Sequence, residues 1–288
     1  MKYRLGVLGG SGLYSMDLTN KREERLVTPW GAPSDAVICG GLPGLDDVEL
    51  LFLPRHGRGH RFTPTHVNYR ANIAALKKLG ATHLLSVSAV GSMREDIAPG
   101  DLVVVDQFID MTKNRISTFF SEPGAPVTHV GFAEPVCALL ASRVYEAAKE
   151  TSAKVHKDGT YLCIEGPQFS SRAESLLYRS WGVSVIGMTN ATEAKLAREA
   201  ELPFATLALS TDYDCWHLEH ESVTVDAVIA VLQANVKNAQ KVIASVAKKL
   251  FDPKESKAHG ALKNAMMTAP EVTNKALVDL YREFLPIP

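Results

Sequence analysis

Short apolar runs rich in Val, Ile and Leu recur along the chain, separated by stretches with helical spacing, the signature of strands buried on both faces of an α/β sheet. The runs predict strands at 4–8, 36–40, 48–53, 82–88, 101–106, 160–165, 183–187 and 204–210. Asn68 to Leu79 places Ile73, Leu76 and Leu79 at helical spacing before a stop at Gly80, and Val136 to Lys149 and Ser171 to Trp181 read as further helices. Thr192 to Ala200 joins strong helix formers to an acidic first turn. From Val225 to Leu250 a stripe of Val228, Val231, Leu232, Val236, Val242, Ile243 and Val246 marks one long helix. Residues 251–258, with Pro253, read as a polar linker, and residues 259–288 as one or two added helices. The expected organisation is a single α/β domain over 1–250 with a helical extension, 251–288, packing on it.

Composition narrows the function classes. Hydrophobic residues make up 46% and charged residues 22% of 288, near the globular average, which argues against disorder and a membrane bundle. Lys and Arg number 31 against 32 Asp and Glu, a net charge of -1 too balanced for coating nucleic acid or an anionic membrane. Any anion bound should be small and met locally. The four cysteines, Cys39, Cys137, Cys163 and Cys215, form no C-x-x-C pair and give no metal or redox signature. With only a brief apolar run before the glycines near the N-terminus, a cytoplasmic location is expected.

Three segments carry candidate chemistry. Gly9-Gly10-Ser11-Gly12 follows a predicted strand, and its amides could approach an anion, or form a tight turn without a ligand. A dinucleotide fingerprint is the other reading, but Ser15 stands where its third glycine belongs and no clear βαβ unit follows. Arg55-His56-Gly57-Arg58-Gly59-His60-Arg61 packs three arginines and two histidines onto a loop at a strand end, an arrangement suited to phosphate or carboxylate oxygens. A third oxyanion partner could come from Ser86, Ser88 or Ser92. Finally, the strand over 204–210 runs into Asp212 and Asp214, beside Tyr213 and Trp216. If strand geometry persists, both carboxylates share one face, and burial plus mutual repulsion would raise their pKa toward that of a proton donor.

Two further strand ends add to these. Glu165-Gly-Pro-Gln-Phe169-Ser170-Ser171 offers a flat ring and a hydroxyl to a planar ligand, with Ser170 or Ser171 as a helix cap, and Gly187-Met188-Thr189-Asn190 offers a soft apolar surface with a hydroxyl.

Together the segments resemble the methylthioadenosine phosphorylases, within the trimeric purine nucleoside phosphorylase superfamily. The resemblance rests on Gly9-Gly-Ser-Gly-Leu13, Arg55-His-Gly-Arg-Gly-His60, Asn68-Tyr-Arg-Ala-Asn72, Glu165-Gly-Pro-Gln-Phe-Ser-Ser-Arg-Ala-Glu174, Gly187-Met-Thr-Asn190 and Ser210-Thr-Asp-Tyr-Asp-Cys-Trp216, in family order. It implies a nucleoside-phosphorylase fold, with a mixed central sheet flanked by helices, and a homotrimer or dimer of trimers. The implied reaction is reversible phosphorolysis of 5′-deoxy-5′-methylthioadenosine to adenine and methylthioribose 1-phosphate. Inorganic phosphate is then a co-substrate, and no metal or cofactor is required.

Carried over by position, the resemblance implies a phosphate site of Ser11, Arg55, His56, Ser88, the Ala89 amide and Thr189. Met188 would pack on the ribose, and Phe169 and Ser170 would border the base, whose edge Asp212 and Asp214 would read with Tyr213 alongside. Asp212 would be the general acid. Val225, Ile229 and residues of the extension such as Phe284 would wall an apolar 5′ pocket, and His129 would reach a neighbouring subunit's pocket. Ser88 stands where some members carry threonine, and Ala191-Thr192-Glu193 where they commonly carry a proline. Carboxylates suit the amino donor of a 6-aminopurine. The alternatives are a purine nucleoside or methylthioinosine phosphorylase of broader scope, and a non-catalytic nucleoside-binding module.

Overall fold

The computed structural model describes residues 2–10, 12–217 and 225–288, with backbone alone at 225–230, 232 and 234. Ser11, Leu218 and the side chains of Val225 and Ile229 therefore lie outside the described residues. In chain order the elements are β1 (Tyr3–Gly9), β2 (Thr19–Glu24), β3 (Val37–Leu42), β4 (Leu45–Pro54), α1 (Tyr69–Lys78), β5 (His83–Ser92), β6 (Leu102–Val105), β7 (Gln107–Asp110) and α2 (Ala138–Ala148). There follow β8 (Val155–Lys157), β9 (Thr160–Cys163), α3 (Arg172–Ser180), β10 (Val185–Gly187), α4 (Asn190–Glu199), β11 (Phe204–Asp212), α5 (Val225–Ala247) and α6 (Lys275–Arg282). Every strand expected from the apolar runs has a counterpart. The strands not anticipated, β2, β7 and β8, lack such a run: β2 is Thr-Asn-Lys-Arg-Glu-Glu, an edge strand largely exposed to water.

The strands form one mixed sheet ordered β2-β3-β4-β1-β5-β10-β9-β7, with β11 on the other side of β5 and β6 and β8 beyond it. Period-two alternation divides the core between the faces. Leu50, Phe52, Leu85, Val87, Leu207 and Leu209 pack against α2 and α5 through Leu140, Val144, Val242 and Ile243. Leu51, Leu53 and Leu84 face the opposite way, toward Ile73 and Leu76 of α1 and Leu196 of α4.

The stretch 251–258 is not the solvated linker its polarity suggests, since Phe251, Ser256 and Ala258 are buried. The chain then closes over the second core with Tyr281, Leu285 and Ile287, the Tyr281 ring lying 4.6 Å from that of Trp30. Phe284 also packs toward Trp30, at 6.2 Å, and does not line the central cavity. Its expected place in a 5′ pocket is therefore not the one it takes in this chain. An aromatic at that point of an amphipathic helix end is drawn instead to the exposed edge of a core already rich in rings.

At β5 the sheet divides. Along one edge β1 pairs with β5 as far as Ser86, and β10 takes over only at Gly91, while β11 runs along the other edge throughout. Residues 87–90 thus have a partner strand on one side only, and the gap where the strand neighbours change is where open α/β sheets receive ligands.

Candidate active site

A cavity of about 610 Å³ opens at that gap. Residues on or just after six strands meet there: Gly10 after β1, Arg55 and His56 after β4, Ser88, Ala89 and Gly91 on β5, Phe169 and Ser170 after β9, Met188 and Thr189 after β10, and Asp212 and Asp214 at the end of β11. Sequence positions far apart are collected because each follows, or lies at, the divided part of the sheet.

One end is built to meet an anion. Arg55 is 3% exposed, and its guanidinium is clasped by the carboxylate of Glu193, which accepts from both Nε and Nη2. Nη2 also donates to Ser86 Oγ at 2.6 Å, and Nη1 takes the Val87 carbonyl, freed by the missing strand, at 3.1 Å. Asn190 completes the cluster by donating to Ser86 Oγ at 2.9 Å and Glu193 Oε2 at 3.1 Å. The acidic first turn read from the sequence is that of α4, and the structure turns its Glu193 inward as the countercharge of Arg55. Buried arginine requires such a partner. No sequence periodicity marks it, because α4 buries Asn190, Thr192 and Glu199 along with its apolar residues, so spacing does not single out one inward carboxylate.

Of the other arginines in the loop, Arg58 pairs with Asp35 at 2.8 Å and Glu23 at 2.6 Å, and Arg61 lies 3.6 Å from Asp35. Neither lines the cavity, so the local concentration of charge is in part a surface network. His56 does line it, with Nδ1 2.9 Å from the Phe62 carbonyl and its ring stacked on His60 at 4.3 Å. Burial, reinforced by the Arg55 charge, pushes the His56 pKa down to about 4. His56 is therefore neutral at pH 7, donates from Nδ1 to Phe62, and presents an unprotonated Nε2.

Ser88 supplies the hydroxyl from β5, its Oγ 3.2 Å from Tyr161 Oη. A Cβ at Gly187 would stand 1.9 Å from that same phenol oxygen, so only glycine admits the ring that backs Ser88. Ser86 is instead consumed by the Arg55 cluster, and Ser92 by a turn at Arg94. Thr189 stands at the N-cap of α4 without capping it through its side chain, which leaves its hydroxyl on the cavity wall.

The opposite end holds the carboxylates. The ladder between β5 and β11 shifts register between Ser210 and Asp212, and Asp214 adopts a left-handed backbone with φ 52°. Strand geometry therefore does not persist, and the pair shares the cavity through a bulge and a turn rather than through strand alternation. A Cβ at Gly91 would lie 2.9 Å from Asp212 Oδ1, so glycine there lets the carboxyl settle against β5. Burial raises the pKa of both Asp212 and Asp214, Asp214 against the pull of the nearby Ser175 and Ser170 hydroxyls.

Asp212 Oδ1 accepts from the Asp214 amide at 2.8 Å. Thr211 Oγ1 lies 2.7 Å from Asp212 Oδ2 and 3.2 Å from the Val90 carbonyl. One hydroxyl proton cannot serve two acceptors, whereas a protonated Asp212 satisfies all three groups.

Apolar surface joins the two ends: Leu13, Pro64, Ile164, Met188, Leu209 and Val236. Leu13 and Val236 were not anticipated as site residues; as ordinary core-type residues they carry no signal until the fold places them. Two expected residues are not on the wall. The ring of Tyr213 packs 5.7 Å from Trp216 and 4.8 Å from His217, because the turn at Asp214 directs it away from the cavity. His129 is exposed, its amide donating to the Ala265 carbonyl at 2.8 Å, and it does not line this chain's own cavity.

A model of the phosphorylase superfamily matches residues 4–248. The chain belongs to the phosphorylase superfamily. Among its phosphorylase relatives, the S-methyl-5'-thioadenosine phosphorylase of Thermosynechococcus vestitus is 53% identical, over 99% of this chain and 100% of its own length. That of Geobacter sulfurreducens is 54% identical over 93% of each. Among solved phosphorylases, a methylthioadenosine phosphorylase from an antarctic soil metagenomic library superposes with a TM-score of 0.89 at 46% identity, covering 99% of this chain and 100% of that one. The Schistosoma mansoni enzyme in complex with adenine gives 0.81 at 35% identity over 99% of both chains.

Proposed function

We propose that the protein is a pentosyltransferase catalysing reversible phosphorolysis of 5′-deoxy-5′-methylthioadenosine to adenine and 5-methylthioribose 1-phosphate, a step of purine and methionine salvage. The observation that carries the reading is one cavity with a hydroxyl and arginine cluster at one end and a carboxyl pair, Asp214 buried and Asp212 half-buried, at the other. Relatives named for this reaction, alike over nearly the whole chain, support it.

In this reading phosphate lies among Ser11, Arg55, His56, Ser88, the Ala89 amide and Thr189. The guanidinium is neutralised by Glu193 and His56 is uncharged, so recognition depends on directed hydrogen bonds more than on net positive charge. The unprotonated Nε2 of His56 suits the P–OH of hydrogen phosphate. Met188 packs on the ribose, Phe169 and Ser170 border the base, and Asp214 accepts from the 6-amino group. Phosphate oxygen forms its bond to C1′ as the bond to N9 breaks, and the electron pair passes into the purine. Asp212, whose protonated form burial favours, delivers its proton to N7, and neutral adenine departs. The Asp212 carboxylate left behind then accepts from Thr211 and the Asp214 amide, and regains its proton from solvent.

Inorganic phosphate is the only co-substrate this chemistry needs, and it calls on no metal or organic cofactor. The proposal extends to a cytoplasmic homotrimer, or a dimer of trimers, in which His129 enters a neighbouring subunit's 5′ pocket alongside Val225 and Ile229. The exposure of His129 and its absence from its own cavity support that arrangement. The extension 251–288 is read as part of the same unit, given its shared core with α1 and α4.

The test is adenine release from purified protein and methylthioadenosine with and without inorganic phosphate, the sugar product being followed by mass. Release that requires phosphate and yields the sugar phosphate is the expected result; release without phosphate would make the protein a hydrolase.

A further inference from the structure

Behind the sugar end of the cavity lies a second buried cluster that the proposed chemistry does not use. Arg115, on the loop after β7, has a side chain only 1% exposed. Its fork reaches four acceptors on three separate segments. Nε donates to Glu165 Oε1 at 2.8 Å, Nη2 to the Glu165 carbonyl at 2.7 Å, and Nη1 to Tyr69 Oη at 2.8 Å and to the Met188 carbonyl at 2.9 Å. Glu165 extends the cluster. It accepts from Thr65 Oγ1 at 2.5 Å, and from the amides of Lys113 at 2.5 Å and Asn114 at 3.0 Å. Although burial alone would raise the Glu165 pKa, these donors bring it down to about 2, so the carboxylate remains charged across the working pH range.

A buried ion pair is by itself weak evidence of a contribution to stability. What distinguishes this one is where its ties end. Pro64, beside Thr65, lines the cavity, as do Ile164 and Pro167 on either side of Glu165 and Gly166, and so does Met188. The Met188 side chain lies directly on Gly166, where an added Cβ would come within 2.4 Å of its sulfur. Arg115 therefore holds both sides of that contact by hydrogen bonds, Met188 through its own carbonyl and Gly166 through the neighbouring Glu165. The base end is tied elsewhere. Ser171 caps α3 in a reciprocal box with Glu174, and the Ser170 carbonyl accepts from the Cys215 thiol at 3.2 Å. The anion end has its own cluster around Glu193. The three parts of the cavity are thus anchored by three networks.

We propose that Arg115 is a positioning residue for the sugar end of the site, clamping the Met188 and Glu165–Pro167 wall segments so that the ribose is held between phosphate and general acid. The inference rests on the functional reading above and deepens it. Small misplacements of a reacting sugar are costly in rate, so the clamp acts on turnover as well as on binding. Lysine cannot replace it, because an ammonium lacks the planar fork needed to reach Glu165 and the Met188 carbonyl together.

The experiment compares wild type with Arg115→Met, Arg115→Lys and Tyr69→Phe in steady-state kinetics for each substrate, adenine binding by calorimetry, and thermal melting. For Arg115→Met the expected result is a rise of at least ten-fold in the methylthioadenosine KM with a fall in kcat. Phosphate KM and adenine Kd should stay within two-fold. Arg115→Lys should recover only part of the loss, and Tyr69→Phe, which removes one of four acceptors, should show a change of the same kind of about three-fold. If Arg115→Met does not fold, the lysine and phenylalanine variants decide. Nucleoside KM and kcat within two-fold of wild type in the soluble arginine variants, or phosphate KM and adenine Kd moving in step with nucleoside KM, would overturn the clamp. Wild type run alongside separates the two ideas: if it releases no adenine with phosphate, the functional reading fails, whereas active wild type with unaltered variants overturns the clamp alone.

Discussion

Replacing Asp212 by asparagine removes a proton and little else. The amide oxygen can keep the hydrogen bond from the Asp214 amide, made at 2.8 Å in the native protein. The amide nitrogen then faces Thr211 Oγ1, which turns its own proton to the Val90 carbonyl. Since both contacts survive, the melting temperature should scarcely move and the loss should fall on chemistry. Proton donation to a leaving group contributes roughly 10²–10⁴ in rate, so kcat should drop by that factor, about 3–5 kcal/mol of barrier. Phosphate KM should remain within two-fold, because the anion end lies across the cavity in a separate network. The assay is adenine release at saturating phosphate, paired with a riboside bearing an activated nitrophenolate leaving group that needs no proton. The Asp212→Asn enzyme should be nearly as fast as wild type on the second substrate. A mutant that retains a third or more of wild-type kcat on methylthioadenosine, or loses equally on both substrates, refutes Asp212 as the acid.

Two other perturbations test different parts of the molecule. Ser88→Ala deletes one hydroxyl at the anion end, and a hydrogen bond to a charged group is worth about 1.5–3 kcal/mol, so phosphate KM should rise roughly 10–100-fold with the adenine Kd unchanged; isotherms for both ligands check this. Glu199 is 4% exposed, and burial, opposed by donors from Phe119 and Thr118, pushes its pKa up to about 7. The folded state therefore holds a proton that the unfolded chain releases near pH 4.5, and stability should fall as pH rises between those values and level off above them. Glu199→Gln, which can still accept from the Phe119 amide, should remove that slope and stabilise the protein at pH 8 by up to about 3 kcal/mol in urea melts at pH 5 and pH 8. A slope unchanged in the variant would assign the pH dependence elsewhere.

The strands and helices that bury apolar stripes were legible because burial writes its own period into the chain. β2 was not, since an edge strand polar at every position gains its place from pairing with β3 rather than from a core. The same division holds at the site. Arg55, Ser88, Phe169 and Asp212 announced themselves as polar or flat groups at strand ends. Glu193 and Arg115 did not. A charge inside a helix or on a loop reads as solvated until the partner that buries it is known, and their partners are 138 and 50 residues away. The fates of Arg58 and Tyr213 make the converse point. Motif membership brings a residue near the site, and the local turn decides whether its side chain enters.

The pairing of Arg55 with Glu193 also constrains how this chain can change over generations. Loss of either charge alone strands the other inside the protein, a defect costing about 3–5 kcal/mol, comparable to the whole stability margin of many domains. A descendant that exchanged both for neutral residues would have to cross that valley or acquire stabilising substitutions first. Positions 55 and 193 should accordingly behave as one heritable unit. A library randomised at both sites and selected for folding alone should be enriched where the two substitutions match, while single-site libraries at either position return almost nothing but the parent; with Arg55 at the phosphate, matched neutral pairs should fold without regaining activity.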